Sequence, residues 1–381
     1  MKPLLALAAA CSCAFSQGSP APPQPARPRR APIVSPEVAA DGHVTFRLRA
    51  PQAKEVALLG EWVAPGGIDV SPAVPMTRDE SGVWSVTVGP LPREVMAYSF
   101  TIDGVTVADP GNPLVKFAAN GAAQSLVVVP ADPPSMHDIR DVPHGIVQEN
   151  WYHSKTLGGE ARRFFVYTPP GYDARLRGGY PVFVLLHGSG NAETNWEAIG
   201  RANFILDNLL AEKRARPMLL VMPFGHAVPF GSPDSGRNNA LFEQDLLNDI
   251  MPALEARYGV AAGAKNHAVA GLSMGGMQAL AMGLRHPDQF SWIGVFSPVT
   301  ESDIPQRYAE QLKQADLVNR NLSLLWMGCG TLDNLFKRTQ TVDEILSHNG
   351  IHHEFHPAEG GRHSWILWRA NLEEMAQRIF K

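Results

Sequence analysis

Ser273 stands in Gly271-Leu272-Ser273-Met274-Gly275, a G-x-S-x-G pentapeptide that follows a short apolar run and precedes residues suited to a helix. A serine at such a strand-to-helix turn is held in strained backbone geometry. Gly271 and Gly275 remove the Cβ atoms that would collide with the turn or the neighbouring strand. The hydroxyl so placed is a nucleophile for a carbonyl carbon. Upstream, residues 180–186 (Y-P-V-F-V-L-L) read as a parallel strand buried on both faces, and the run ends in His187-Gly188-Ser189-Gly190. A glycine-rich loop there can offer a backbone N–H. The N–H of Ser189, joined by that of Met274, is expected to hold the oxyanion that forms when Ser273 attacks.

A serine hydroxyl is a poor nucleophile at neutral pH, so a base must follow. Residues 322–327 (L-S-L-L-W-M) read as another buried strand, continued by residues 328–333 (G-C-G-T-L-D) into a loop that brings Asp333 inward. Farther on, Gly360-Gly361-Arg362-His363-Ser364-Trp365 is a flexible loop able to carry His363 over the sheet edge. His363 is thus expected to act as general base and then acid. Asp333 would fix its tautomer and stabilise the imidazolium. Asp303, with Glu301 beside it, follows the apolar residues 290–296 and is the competing carboxylate. Residues 351–356 (I-H-H-E-F-H) resemble a metal cluster. Strand alternation splits His352, Glu354 and His356 from His353, and the helical H-E-x-x-H spacing is absent, so neither metal nor other cofactor is expected.

The elements that must position these groups fall in two parts. The chain has 381 residues, 45% hydrophobic and 18% charged, with a net charge of −4 and no basic stripe, which argues against nucleic acid as a partner. No apolar run is long enough to span a membrane. Residues 1–16 read as a signal peptide, with cleavage before Gln17 predicting a secreted or periplasmic protein. Cys11 leaves lipoprotein anchoring as the second reading. Cleavage removes Cys11 and Cys13, so Cys329 would be the lone cysteine, a small buried residue. Residues 17–32 form a proline-rich linker.

Residues 33–130 show short alternating strands without helical period, which predicts an immunoglobulin-like β-sandwich. Residues 56–62 (V-A-L-L-G-E-W), 81–84 (S-G-V-W), 98–104 and 108–110 resemble the early-set, carbohydrate-binding-module-like domains found ahead of glycogen-branching enzymes and some esterases. That resemblance makes Trp62 a candidate glycan platform, while Trp84 sits within strand alternation and reads as core. Residues 131–144 read as a linker. From 145 to 381, strands alternate with amphipathic helices, among them a long helix over residues 241–258, and eight strands can be counted. Ser273 follows the fifth, Asp333 the seventh and His363 the eighth. This is the plan of an α/β hydrolase: a mixed, mostly parallel eight-stranded sheet with flanking helices.

The segment 145–381 resembles carbohydrate esterase family 1 and its relatives, on Leu185-Leu186-His187-Gly188, the helix ending A-R-Y-G-V, the elbow extended to Gly276, and Gly361-Arg362-His363-Ser364-Trp365 with Trp368. The resemblance implies a Ser273, Asp333, His363 triad, an oxyanion hole of Ser189 and Met274, and deacylation of feruloylated or acetylated xylan. Trp196, Phe224, Phe230 and Trp365 lie in loops after strands and are candidate substrate contacts, with Arg237, Asn238 and Asn239 as weaker polar ones. A siderophore esterase of enterochelin type is the alternative enzyme, and an inactive glycan-binding protein the alternative class. The sequence leaves oligomeric state open.

Overall fold

The computed structural model describes residues 32–62, 72–299 and 304–381. The expected signal peptide, the linker up to residue 31, Cys11, Cys13, Glu301 and Asp303 lie outside the described residues. The larger part is built on eight strands: β1 (Ile146–Ser154), β2 (Glu160–Thr168), β3 (Val182–Leu186), β4 (Leu219–Pro223), β5 (His267–Leu272), β6 (Trp292–Phe296), β7 (Leu324–Gly330) and β8 (Glu354–Ala358). Their spatial order is β1-β2-β4-β3-β5-β6-β7-β8, with β2 antiparallel to both neighbours and the rest parallel.

Alternation within the apolar runs explains the layering. Val182, Val184 and Leu186 face one core, with Phe242, Leu280 and Val342, while Phe183 and Leu185 face the other, with Trp196, Leu206 and Leu372. Helices α1 (Ala202–Ala211) and α5 (Trp365–Arg378) cover the second face. Helices α2 (Asn238–Asp245), α3 (Met274–Arg285) and α4 (Phe336–His348) cover the first. The single helix expected over residues 241–258 is interrupted: α2 runs into a π-helical turn at Leu246–Ile250 before the α-turns of Met251–Glu255. Pro252 has no N–H to give the carbonyl four residues back, and the wider turn relieves that defect.

Two sheets make the preceding sandwich. One holds Glu37–Val38, Val44–Arg49, Val83–Val88 and Thr77–Arg78. The other is built on Val56–Gly60, Val95–Ile102 and Ala123–Val128, with short edge strands including Val115–Phe117. Phe46, Leu58, Tyr98 and Phe100 fill its core. Trp84 belongs to that core, its Nε1 donating to the Ala50 carbonyl at 2.9 Å. Trp62 does too, and this corrects the reading of it as a glycan platform: only 8% exposed, it stacks on Phe46 and lies across Gly60, where a Cβ would meet its ring at 2.1 Å.

The strand Val95–Ile102 is apolar on both faces for a tertiary reason. Met96, Tyr98 and Phe100 enter the sandwich core, while Val95 and Ala97 join the core around α5. Residues Ile33–Lys381 therefore pack as one compact unit. The stretch 131–144, read as a linker, lies against α1, where Asn208 donates to the carbonyls of Met136 and Asp138.

Arg369 of α5 is the polar bolt of this junction. It is 3% exposed, donates to the Ile199 carbonyl at 2.8 Å and pairs with Glu94 of the sandwich. Arg369→Met is expected to cost about 2 kcal/mol, because it takes the guanidinium from Glu94, whose side chain is only 20% exposed, and leaves the Ile199 carbonyl without its donor. Urea denaturation measures it, and a loss under about 1 kcal/mol would show that the pair contributes little.

Candidate active site

Ser273 occupies the turn between β5 and α3 with φ 54° and ψ −114°, a conformation that L-residues rarely adopt. Neighbouring backbone over-determines it. Its N–H donates to Phe296 O at 2.8 Å, and its carbonyl accepts from Met277 N at 3.2 Å and Val299 N at 3.1 Å. The glycines are required by contact distance: a Cβ at Gly271 would stand 2.6 Å from Gly275, and one at Gly275 would stand 2.6 Å from His187 O. Ser273 is more covered than an open elbow would be, at 7% exposed.

The loops that follow β7 and β8 are stitched together by direct hydrogen bonds. Leu332 N donates to Gly361 O at 2.9 Å and Gly360 N to the Thr331 hydroxyl at 2.9 Å. Gly330 and Gly361 approach so closely that a Cβ at Gly330 would overlap Gly361 at 2.1 Å. This brings His363 Nδ1 to 2.9 Å from Asp333 Oδ2, and the imidazole stands edge-on to Trp368 with ring centres 4.8 Å apart. Burial works to raise the Asp333 carboxyl. The hydrogen bond and charge of His363, the Leu335 N–H at 2.8 Å and the Ser297 hydroxyl outweigh it and hold the group below the ordinary carboxylate value.

Gly188 sits against the elbow, where a Cβ would come within 3.2 Å of Ser273 Cβ. His187, which carried no assigned role, pins this loop. Its Nδ1 bonds Gly188 O at 2.8 Å and its Nε2 accepts from Gly225 N at 2.9 Å, a pairing that requires the neutral Nδ1–H tautomer. Complete burial pushes its pKa down to about 3, so it stays neutral. The loop is also bound from the sandwich side, by an antiparallel bridge between Ala118 and Asn191 and by Ala119 N donating to Gly190 O at 3.0 Å.

Ser189 and Met274 line one cavity of about 340 Å³, with Phe230, Met277, Val299 and Asn239 in its wall. The other sequence-derived contacts are redistributed. Trp196 is wholly buried and its Nε1 donates to Leu186 O at 2.9 Å, so it supports the end of β3 and is withdrawn as a substrate contact. Trp365 is 6% exposed, edge-on to both Trp196 and Trp368, and shows one side to a cavity of about 150 Å³ beside His363. Phe224 is half-buried beneath the Arg162 guanidinium. Asn238 spends its amide on the Gly225–Val228 turn, accepting from Ala227 N at 2.8 Å and donating to Gly225 O at 3.0 Å, so it too is a support. Among the histidines of the suspected cluster, His353 bonds Asp343, and His356 bonds Glu354 and stacks on Trp326. Cys329 is buried, its thiol pushed up to about 11 by desolvation.

A sheet of this order, with a strained serine after β5 and a carboxylate–imidazole pair after β7 and β8, defines an α/β hydrolase. The chain belongs to the Putative esterase family, whose model matches residues 154–379, and residues 34–116 match carbohydrate-binding module 48, the isoamylase N-terminal domain. It is 32% identical over 352 residues to an endo-1,4-beta-xylanase/feruloyl esterase of Xylanibacter ruminicola, covering 91% of this chain and 46% of that protein. The chain thus spans about half the length of the curated relatives it matches. A family 1 ferulic acid esterase of Anaeromyces mucronatus, solved with ferulic acid, aligns at 25% identity and a TM-score of 0.56, over 64% of this chain and 93% of that one. The enterobactin esterase of Shigella flexneri shares the fold over 88% of this chain and 92% of that one, at 19% identity and a TM-score of 0.62.

Proposed function

We propose that this chain is an exported serine esterase that removes feruloyl groups, and less readily acetyl groups, from plant cell-wall xylan through an acyl-enzyme. The carrying observation is the Asp333–His363 hydrogen bond at the sheet edge that presents Ser273. With Nδ1–H donated to Asp333, the imidazole keeps Nε2 for the serine proton. Ser273 Oγ then attacks the ester carbonyl carbon as His363 takes that proton, and the N–H groups of Ser189 and Met274 receive the oxyanion. Collapse of the intermediate expels the sugar alkoxide, which His363 protonates. Water, deprotonated by His363, attacks the acyl-enzyme by the same route and restores the serine.

The acyl preference rests on the cavity wall. Phe230, Met277 and Val299 suit a flat aromatic acid, whereas an acetyl group would leave most of about 340 Å³ unfilled. No Lys or Arg stands among the described residues that line it, which disfavours an anionic catecholate triester. The domain division we propose is the one read from sequence, 33–130 and 145–381, behind a leader and linker in 1–32.

Side-by-side assays of methyl ferulate, acetylated xylan and a catecholate triester test the substrate. Methyl ferulate should be hydrolysed fastest, and activity confined to the triester would overturn the proposal. Activity should rise from mildly acidic to mildly basic pH, because only the neutral imidazole accepts the serine proton. Asp333, held below its ordinary value, stays ionised over that range, and His187 at about 3 and His226 at about 4 stay neutral, so none of these three contributes to the rise. A flat profile would count against His363 as base.

A further inference from the structure

Among the described residues, only three Phe, Tyr or Trp side chains are exposed: Phe117, Trp151 and Phe230. Phe230 lines the cavity assigned to the acyl group. Phe117 and Trp151 line a second, open groove of about 770 Å³, to which the sandwich contributes Phe117 and the catalytic sheet Trp151 of β1. The two spaces adjoin through the loop that follows β3, for Ser189 lines the first while Ala192 and Glu193 line the second. A row of rings runs between them: Phe224, in the groove, lies 5.5 Å from His226, and His226 lies 5.4 Å from Phe230.

The cations of the groove are already matched. Arg163 bonds Glu193 at 2.5 Å and Glu149 at 3.3 Å, and Arg162 faces Asp245 at 3.4 Å. A groove whose cations are paired gives an anion little attraction, yet its paired groups still offer hydrogen bonds at their edges. Exposed aromatic faces beside hydrogen-bonding walls, with the Glu160 carboxylate among the acceptors, suit an uncharged ligand with apolar CH faces and a rim of hydroxyls. That is the chemistry of a pyranose chain.

We propose that this groove, at the junction of sandwich and sheet, binds the neutral polysaccharide chain from which the ester hangs, with Trp151 and Phe117 stacking on sugar rings. The inference rests on the xylan-ester reading given above. It moves carbohydrate recognition from the sandwich's own core tryptophan, Trp62, to a surface that exists only when both parts are packed together.

The test uses the full chain with Trp151→Ala, Phe117→Ala, the double variant and Trp151→Phe. The readout is the ratio of kcat/KM on a feruloylated xylo-oligosaccharide to kcat/KM on methyl ferulate. Each alanine variant should lower the ratio about fivefold and the double variant on the order of 20-fold, through KM, while Trp151→Phe retains most of it. An unchanged ratio in the double variant overturns the proposal. Calorimetric titration with unesterified xylohexaose separates it from the acyl assignment. If neither feruloyl substrate is cleaved, the feruloyl reading fails. Xylohexaose binding that the double variant loses would still support the groove, and no binding by the wild type would overturn it.

Discussion

Ser273→Ala is expected to lower kcat on methyl ferulate by about 10⁴-fold or more, toward the ~10⁶-fold ceiling seen when a nucleophile is removed from a triad. The size follows from what the substitution deletes. Without Oγ no acyl-enzyme forms, and water would have to attack from a position that the elbow does not prepare. Residual turnover would come from the Ser189 and Met274 donors and from binding alone. The fold should survive, because the contacts that hold residue 273 at φ 54° are backbone ones, to Phe296, Met277 and Val299, and alanine keeps all three. KM should change little. A variant that keeps its melting temperature and more than a tenth of wild-type kcat would remove Ser273 from the mechanism.

What could be read beforehand follows the reach of each physical signal. β3 and β5 are buried on both faces, so they appear as continuous apolar runs that need no partner to be recognised. The glycines of the elbow are dictated by contacts within one turn and the adjoining loop, a local constraint that a pentapeptide records. Aromatic side chains in loops carry no such record. Trp196 and Phe230 both follow strand ends, yet one is wholly buried and the other 49% exposed, and the difference is set by α5 and its Trp365, far along the chain. Trp62 disappears beneath Phe46 for the same reason.

Trp151 shows the converse. The alternation of β1 marks it as lying on the opposite face from Asn150 and Tyr152, but whether that face meets solvent, a helix or a ligand depends on the edge position of the strand. The pins on the loop after β3 were equally hidden. The bridge from Ala118 to Asn191 joins residues of different parts of the chain, and the neutral state of His187 follows from complete burial. Neither consequence has a local sequence pattern. The sandwich was legible as a fold from its strand lengths, whereas its contribution to the cavity beside His363 emerged only from packing.

Asp333→Asn carries the second large effect, about 10³- to 10⁴-fold in kcat at neutral pH, although the side chain scarcely changes shape. The reason lies in the other oxygen. Asp333 Oδ1 accepts from the Leu335 N–H at 2.8 Å while Oδ2 faces His363 Nδ1 at 2.9 Å. The Leu335 N–H is fixed in the backbone at the start of α4, so the amide of asparagine must turn its oxygen there and its NH₂ toward the imidazole. His363 must then accept at Nδ1, which places its proton on Nε2 and leaves no lone pair for the serine. Flipping the amide restores the tautomer but sets an NH₂ against the Leu335 N–H. Both arrangements also lose the negative charge that stabilises the imidazolium. Asp303→Asn and Glu301→Gln should each stay within a few-fold of wild type. If Asp303→Asn is the inactive variant and Asp333→Asn is not, the acid belongs to the loop after β6.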